Sequence, residues 1–435
     1  MADQPTSAIG QAVPSGPKST YTIGLFTLLY MMMYVDRNIV NLLLESIKHE
    51  FDLSDTALAL IAGFGFSFFH TVFGFPAARW ADRGDRRVIV TLSAVMWGGM
   101  TALCGFAQNG IQLALARIGV GIGEATTPVL HSILSDQSTK DTRARVMSML
   151  VLGGPLAALF CFPLVGWVEQ HYGWRWAFIV AGVPGLLLAL LVWTTFRDRV
   201  REAAKRGDAG VERSAPPLGE VLRFLSRQRT FLFTAAGYVV SQVGIIGFTV
   251  WAPTYLRRIH DMSAGGAGAS FGFATGVLGI LGALSGAYVL TKSNKHGDKW
   301  KLLWPAIATL MAAPFILLTV AVESTVITLI AMGVVAFFVA FKFGPVLAAN
   351  QSVVKPRMRA LASSFQGFTA SIVAIGGGPL LVGAISDALR PSMGDDSLKA
   401  AFVVCAGFVV AGAALLALGS RSIEADIAAA ERVEA

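Results

Sequence analysis

The sequence predicts an all-α integral membrane protein whose twelve transmembrane helices form two pseudo-symmetric six-helix bundles. The first observation is composition: 54% of the 435 residues are hydrophobic, 14% are charged, and the mean hydropathy is +0.62. Soluble domains of this length are far less apolar. The second is a series of mostly apolar stretches of about 20 residues, long enough to cross a bilayer. They begin near positions 22, 57, 88, 109, 146, 174, 230, 265, 301, 323, 360 and 399.

The third observation is an internal repeat. The segment that carries Arg143 and Arg145 before the fifth stretch resembles the one that carries Arg357 and Arg359 before the eleventh. Pro-Leu-Val-Gly at 163–166 has a counterpart in Pro-Leu-Leu-Val-Gly at 379–383. The separations are roughly 214 to 224 residues and join stretch n to stretch n+6, as in transporters built from parallel repeats.

The longest polar stretch divides the chain between its sixth and seventh apolar segments. Its last part, Leu218–Leu225, could form a helix lying on the membrane surface; a solvated linker is the alternative. The predicted organisation is a disordered cytosolic tail (1–20), an N-terminal six-helix bundle (21–196), a cytoplasmic linker (197–229), a C-terminal six-helix bundle (230–420) and a cytosolic tail (421–435).

Basic residues predict the orientation in the membrane, since cytoplasmic loops carry an excess of Lys and Arg. With the N-terminus inside, about 26 of the 35 basic residues fall in cytoplasmic segments. We therefore expect an inner-membrane protein with both termini in the cytoplasm. The net charge of +8 then reflects topology and contact with anionic membrane lipids, and it does not indicate nucleic-acid binding.

Several ionisable side chains lie within the apolar stretches. A charge at the centre of a membrane helix costs at least ~2.5–3.5 kcal/mol, so such residues usually line a path for ions or substrates. The set is Asp36, Arg37, His70, Arg117, Glu124, His131 and Lys342. Arg117, Glu124 and His131 are spaced by seven residues, which places them on one face of a helix.

Asp36 and Arg117 are predicted to lie at a similar depth in the membrane. Because arginine stays charged when buried, its least costly neighbour is a carboxylate. Our hypothesis is that Asp36 and Glu124 compete for Arg117, so that protonating one carboxylate frees the arginine and couples proton movement to a conformational change. A static structural ion pair is the alternative.

The remaining polar residues of the spans leave alternatives open. Arg37 could face another helix or bind a substrate head group, with Tyr34 in the same cavity. His70 and His131 could titrate near neutral pH or only pack by hydrogen bonding. Lys342 could complement an anionic head group, or its long stem could reach the inner interface.

Charges at the cytoplasmic helix ends are candidates for an inner gate, which would pair with the other half in one conformation. The alternative is that they only obey the positive-inside rule. The candidates are Asp82, Arg83, Arg86 and Arg87, with Arg145 and Arg359 placed equivalently by the repeat.

The loop after the second stretch resembles a signature of the major facilitator superfamily, Gly-x-Leu-Ala-Asp-Arg-x-Gly-Arg-Lys. Here it reads Ala-Arg-Trp-Ala-Asp-Arg-Gly-Asp-Arg-Arg over 78–87, with Ala78 and Asp85 in place of the two glycines. The run from Arg117 to Gly123 is similar to the family's Arg-x-x-x-Gly-x-Gly element, and Gly154-Pro155 to its Gly-Pro signature. The resemblance implies the major facilitator fold and alternating access.

Within that superfamily the chain most resembles the spinster family. The resemblance rests on Asp36-Arg37, the Phe51-x-x-Ser54 loop, Arg117 with Glu124, and the Trp-Arg-Trp-Ala-Phe run at 174–178. It implies a proton- or gradient-driven carrier of lysolipids or sphingosine phosphate. We therefore expect a monomeric secondary carrier of an amphiphilic, anionic, lipid-like substrate, with protons as coupling ion and no cofactor.

Other functions remain as alternatives. A proton-coupled carrier of a small organic acid or drug is the main one, and a membrane enzyme or a channel is a lesser one. Cys104, Cys161 and Cys405 have no metal-ligand spacing, so no metal site is expected.

Overall fold

A computed structural model describes residues 17–136, 140–198, 218–293, 297–355 and 358–431. These residues are helices and short turns, with no strand among them. The helices of the N-terminal half are α1 (Pro17–Phe51), α2 (Asp55–Ala59), α3 (Gly65–Arg83), α4 (Arg86–Cys104), α5 (Gly110–Glu124), α6 (Thr127–Asp136), α7 (Lys140–Tyr172) and α8 (Trp174–Thr195).

The second half repeats this pattern. Its helices are α9 (Leu218–Leu225), α10 (Arg229–Ile259), α11 (Ala264–Ser293), α12 (Trp300–Ala321), α13 (Thr325–Ser352), α14 (Arg359–Ala370), α15 (Gly377–Met393), α16 (Ser397–Gly419) and α17 (Ile423–Glu431). Two π-helical segments, Leu60–Phe64 and Ser371–Gly376, join α2 to α3 and α14 to α15.

Twelve membrane crossings are present, as predicted. Eleven helical stretches of the described chain are long and apolar enough to cross a bilayer, and the last one, Leu361–Gly419, has 59 residues. At 1.5 Å per residue a straight helix of that length would measure ~88 Å, nearly three bilayer cores. Gly394, with φ of 59°, reverses the chain, and α15 then packs against α16. This stretch therefore crosses twice.

Side chains in the short turns determine where several helices begin. Ser54, Asp85 and Asn109 each accept a hydrogen bond from a backbone N–H in the first turn of α2, α4 and α5, which is the usual N-cap arrangement. Gly173, with φ of 86°, makes the tight link between α7 and α8. Local sequence thus ends one crossing and starts the next.

The packing of apolar side chains differs between the two membrane sides. We call the side that holds Asp55 the Asp55 side, and the opposite side, with Gly84, the Gly84 side. On the Asp55 side one hydrophobic core contains residues of both halves, such as Phe162 and Trp251. Towards the Gly84 side each half has a core of its own, one around Trp97 and one around Phe231. The halves therefore share a hydrophobic core only towards the Asp55 side.

The linker and the C-terminal tail both contain helices. Helix α9 buries Val221 and Leu225 in the core of the C-terminal half, and Lys355 lies 5.0 Å from the ring centroid of Phe224. Helix α17 begins within the segment predicted to be a plain tail, and Asp426 accepts a hydrogen bond from the Thr230 backbone N–H at 2.6 Å. The predicted N-terminal tail to residue 16 and linker residues 199–217 lie outside the described residues.

Candidate functional site

Four charged side chains meet between α1 and α5 in the N-terminal half. Asp36, Arg117 and Glu124 have no exposed surface, and the Arg37 side chain is 30% exposed. Arg37 donates to the same carboxylate oxygen of Glu124 from Nη2 at 2.7 Å and from Nε at 3.2 Å. Arg37 thus faces another helix and forms the ion pair of the cluster.

Arg117 has a different role from the one in our hypothesis. Its Nη1 donates to the backbone carbonyl of Asp36 at 3.0 Å, and its Nη2 donates to that of Arg37 at 3.4 Å. In this conformation Arg117 makes no ion pair with either carboxylate, and Glu124 pairs with Arg37 instead. Arg117 and Asp36 lie at a similar depth, as predicted, but Arg117 contacts the backbone carbonyl of Asp36 and not its carboxylate.

The Asp36 carboxylate is the least satisfied carboxylate of the cluster, although Oε1 of Glu124 and Nε of Arg117 also lack a partner among the described residues. Neither of its oxygens has a hydrogen-bond partner in the part of the chain that the structure describes. A buried carboxylate without donors or a paired cation is costly to hold in its charged form. Asp36 is therefore the carboxylate of this cluster with the fewest stabilising contacts in the described structure.

One aromatic ring contacts both arginines. The guanidinium carbons of Arg37 and Arg117 lie 5.3 and 5.2 Å from the ring centroid of Phe66, and the His70 ring stacks on Phe66 at 5.6 Å. Close approach at this point requires Gly121, because an added Cβ would lie 2.6 Å from the Phe66 carbonyl oxygen. Cation–π attraction is strongest where water is excluded, which applies to the fully buried Arg117 more than to the partly exposed Arg37.

Two cavities lie between the halves. One, of about 200 Å³, has Tyr34, Asn38 and Asn41 on one wall and Phe248 and Met332 on the opposite one. No charged side chain of the described chain lines it. This central cavity suits an uncharged or apolar part of a ligand.

The second cavity measures about 360 Å³ and lies between α3, α6 and α14, towards the Gly84 side. His70 and His131 line it, together with hydroxyl groups that include Thr127 and Ser364. Nδ1 of His70 is buried without a hydrogen-bond partner in the described structure. Of the predicted cavity residues, His70 and His131 therefore line this histidine cavity, Tyr34 lines the central one, and Arg37 lines neither.

Lys342 lies in neither cavity. It is 1% exposed, its Nζ donates to Ser241 Oγ at 3.0 Å, and it lies 5.9 Å from the ring centroid of Tyr238. The interpretation in which its stem reaches the membrane interface is wrong, because α10 and α13 enclose the ammonium group. Lys342 thus lies between the first and fourth spans of the C-terminal half. The cluster of Asp36, Arg37, Arg117 and Glu124 lies between the first and fourth spans of the N-terminal half.

The predicted gate residues lie at helix ends on the Gly84 side. Arg86 pairs with Asp198 at 3.7 Å, Arg87 donates to the Trp193 carbonyl, and Arg359 donates to the Gln351 carbonyl at 3.0 Å. The side chains of Asp82, Arg83 and Arg145 fall outside the described part of the structure. Among ion pairs whose two partners are described, none joins the halves on this side.

The ion pairs that join the halves lie on the Asp55 side and were not predicted. Arg257 donates to Glu169 at 2.7 Å. Arg258 donates to Glu45 at 2.7 Å and to both oxygens of Asp55 at 2.9 Å. The sequence did contain a signal for these ion pairs: Arg257 and Arg258 are adjacent and lie on the side predicted to be poor in basic residues.

The structure offers little for a metal ion. Among the described residues, no group of three His, Cys, Asp or Glu side chains is placed to hold a metal. The three cysteines are free, with Cys104 and Cys405 buried and Cys161 half-buried.

Known proteins resemble this chain along nearly its whole length. The family model for the Major Facilitator Superfamily matches residues 26–378. An MFS-type efflux pump of Mycolicibacterium smegmatis is 33% identical over 417 residues, which cover 95% of each chain. The sphingosine-1-phosphate transporter SPNS2 of Danio rerio is 25% identical over 416 residues, covering 89% of this chain and 81% of its own.

A solved structure has the same fold. It is a bacterial homolog of the human lysosomal transporter Spinster in an inward-facing and unoccupied conformation, with a TM-score of 0.81 at 26% identity. The match covers 95% of this chain and 99% of that one. By sequence and fold, the chain belongs to the Major Facilitator Superfamily, in which it is a spinster-like transporter and not an enzyme.

Proposed function

We propose that this protein is a proton-coupled secondary transporter that works by alternating access on an amphiphilic, anionic, lipid-like substrate. The observation that carries the proposal is the buried cluster of two carboxylates and two arginines beside the cavities between the halves. Ionisable residues inside a membrane bundle are costly and are usually retained for transport. We propose a monomer that needs no cofactor besides the coupling proton.

The conformation fits a carrier that is open on one side. The shared core and the ion pairs of Arg257 and Arg258 support closure on the Asp55 side, and the histidine cavity lies towards the other side. The loop between α3 and α4, which contains Gly84, is rich in basic residues. We therefore assign the Gly84 side to the cytoplasm and place both termini there. The protein would then face inward across the inner membrane, as the similar solved structure does.

The proton would act by changing the partners of the arginines. When Asp36 is protonated, the cluster gains one net positive charge, which favours an anionic head group near Arg37 while the Arg37–Glu124 pair stays intact. When Glu124 is protonated, its ion pair with Arg37 is lost and the arginine can turn towards the carboxylate of Asp36. Loss of the Arg37–Glu124 pair would change the contact between α1 and α5, and motion between two such arrangements is what alternating access requires.

The two cavities support an amphiphilic substrate. The walls of the central cavity are mostly apolar, the histidine cavity presents two imidazoles and several hydroxyl groups, and the partly exposed Arg37 is a cation close to His70. A substrate with an apolar tail and an anionic head would satisfy both. The similarity to SPNS2, named for sphingosine-1-phosphate transport, agrees with this substrate class.

Export of a drug-like compound is the second candidate. The M. smegmatis relative is named as an efflux pump and is more similar to this chain than SPNS2 is. The uncharged central cavity would accept such a compound without an anionic group.

Proton flux into proteoliposomes tests the proposal. We expect lysophospholipids or sphingoid phosphates to trigger flux in the parent protein, and E124Q to reduce it at least about ten-fold because Arg37 loses its carboxylate partner. E323Q, which changes an exposed acid in the loop between α12 and α13, is the matched control and should transport normally. Flux triggered only by small acids or drugs would move the assignment to the alternatives, and unchanged flux in E124Q would overturn the coupling role.

A further inference from the structure

Helix α2 receives part of its N-terminal capping from the other half of the protein. The Asp387 carboxylate, at the Asp55 end of α15, accepts the backbone N–H of Asp55 at 2.9 Å and that of Thr56 at 2.8 Å. The Thr56 hydroxyl donates to the same carboxylate at 2.6 Å. The first amides of a helix have no partner within it, and a carboxylate there is also favoured by the helix dipole.

The remaining amides of this turn are capped locally. The Ala57 N–H donates to the Ser54 hydroxyl at 3.1 Å, and the Leu58 N–H donates to the Ser54 carbonyl at 3.0 Å. Helix α2 continues through the π segment into α3, so this N-terminus belongs to a span of 27 residues, Asp55–Ala81. The four initial amides of that span are all satisfied only while Asp387 stays in place.

The Asp55 side chain is held separately from its backbone. Its carboxylate accepts both Arg258 hydrogen bonds and one from Ser386 at 2.7 Å. The backbones also approach closely, since a Cβ added to Gly383 would lie 2.6 Å from the Asp55 carbonyl oxygen. Arg258 of α10 and residues on two adjacent turns of α15 therefore contact one helix start.

The same pair of spans touches again in mid-membrane, where the two π segments face each other. A Cβ on Gly63 would lie 2.9 Å from the Ile375 carbonyl oxygen, and one on Gly376 would lie 2.8 Å from Ser67 Oγ. Beyond this contact, towards the Gly84 side, the spans enclose the histidine cavity. The contact between α2 and α15 is thus the Asp55-side end of an interface that is already separated at the other end.

We propose that Asp387 is a positioning residue that latches the Asp55 side closed through the N-terminus of α2. When that side opens, the Asp387 hydrogen bonds to Asp55 and Thr56 are exchanged for water. This latch rests on the proposed alternating-access function. Its effect is on the equilibrium between the state closed on the Asp55 side and the state open on that side.

Distance measurement by double electron–electron resonance tests the latch without any substrate. Spin labels at Q108C and E323C report on the Asp55 side, where both residues are exposed and belong to different halves. D387N should increase the longer-distance population about ten-fold, because an amide offers one acceptor oxygen and turns an NH₂ group towards the other N–H. T56V, which removes only the hydroxyl bond, should give a smaller increase of about three-fold.

The control is D396N, an exposed acid on the same side that pairs with Lys399 at 2.7 Å. A distance distribution in D387N equal to that of the parent and of D396N would overturn the latch. If D387N does not fold, an unchanged distribution in T56V would do so. Absence of transport with every substrate would count against the proposed function while leaving the distance result interpretable, so the two failures are distinguishable.

Discussion

At the scale of single residues, rotamers determine which charges pair. Asp36 and Arg37 are neighbours in α1, yet Arg37 reaches Glu124 while Asp36 reaches no donor in the described chain. Arg117, spaced for the same face as Glu124, turns instead to backbone carbonyls. Sequence spacing predicted that these groups would meet, but long side chains have several acceptors within reach, so it could not predict their partners.

Lys342 provides a prediction at this scale. Its ammonium group is buried with a single hydroxyl partner, so the apolar and similarly long side chain of K342M should remove a desolvation cost. We expect the unfolding midpoint of the substrate-free protein to rise by a few degrees, about 1–3 kcal/mol, in a thermal scan.

The substrate affinity of K342M tests whether Lys342 also binds an anionic head group. If the ammonium group binds an anionic head, K342M should weaken binding by about ten-fold even though it stabilises the protein. K399M, at a partly exposed position on the Asp55 side, is the control and should change neither quantity. A lower midpoint in K342M would show that the lysine contributes to folding and is not held at a cost.

At the scale of helices, small residues allow backbones to touch. Gly121 and Gly123 of α5 lie against Phe66 and Trp97, and Gly98 of α4 lies against Gly182 of α8. Helix association in a membrane depends on such close packing because lipid is as apolar as the side chains. The sequence indicated this role through its glycine runs, although it could not show which neighbour each glycine meets.

Gly121 gives the prediction for this scale. An added Cβ would lie 2.6 Å from a backbone oxygen that cannot turn away, so G121A should force α3 from α5. We expect a loss of about 1–3 kcal/mol, measured as a lower unfolding midpoint in detergent. G99A is the matched control, because no atom lies within 4 Å of the added Cβ. Equal midpoints would contradict tight packing at Gly121.

At the scale of the whole molecule, the halves share one core towards the Asp55 side and have separate cores towards the other. The ion pairs between the halves follow the same asymmetry. A carrier needs this contact to be strong enough to close one side and weak enough to be exchanged. The proposed role of Asp36 is to link its protonation to that exchange.

Substitution of Asp36 should separate proton coupling from the conformational change that carries the substrate. D36N should resemble the protonated state permanently, so substrate counterflow in liposomes should continue while proton-driven accumulation falls at least about ten-fold. Both assays use the same D36N preparation, so continued counterflow shows that the variant is folded. Loss of counterflow together with accumulation would show that Asp36 is required for movement itself.

The sequence by itself determined the class, the twelve crossings and the duplicated halves, because apolar length and repeat spacing are properties of the chain alone. It also identified the residues of the buried cluster, since charge in an apolar span is conspicuous. Only the tertiary structure decided that Glu124 pairs with Arg37, that Lys342 is enclosed, and that Arg258 and Asp387 contact Asp55 of the other half. Those contacts join residues tens to hundreds of positions apart, and their geometry depends on how the helices cross.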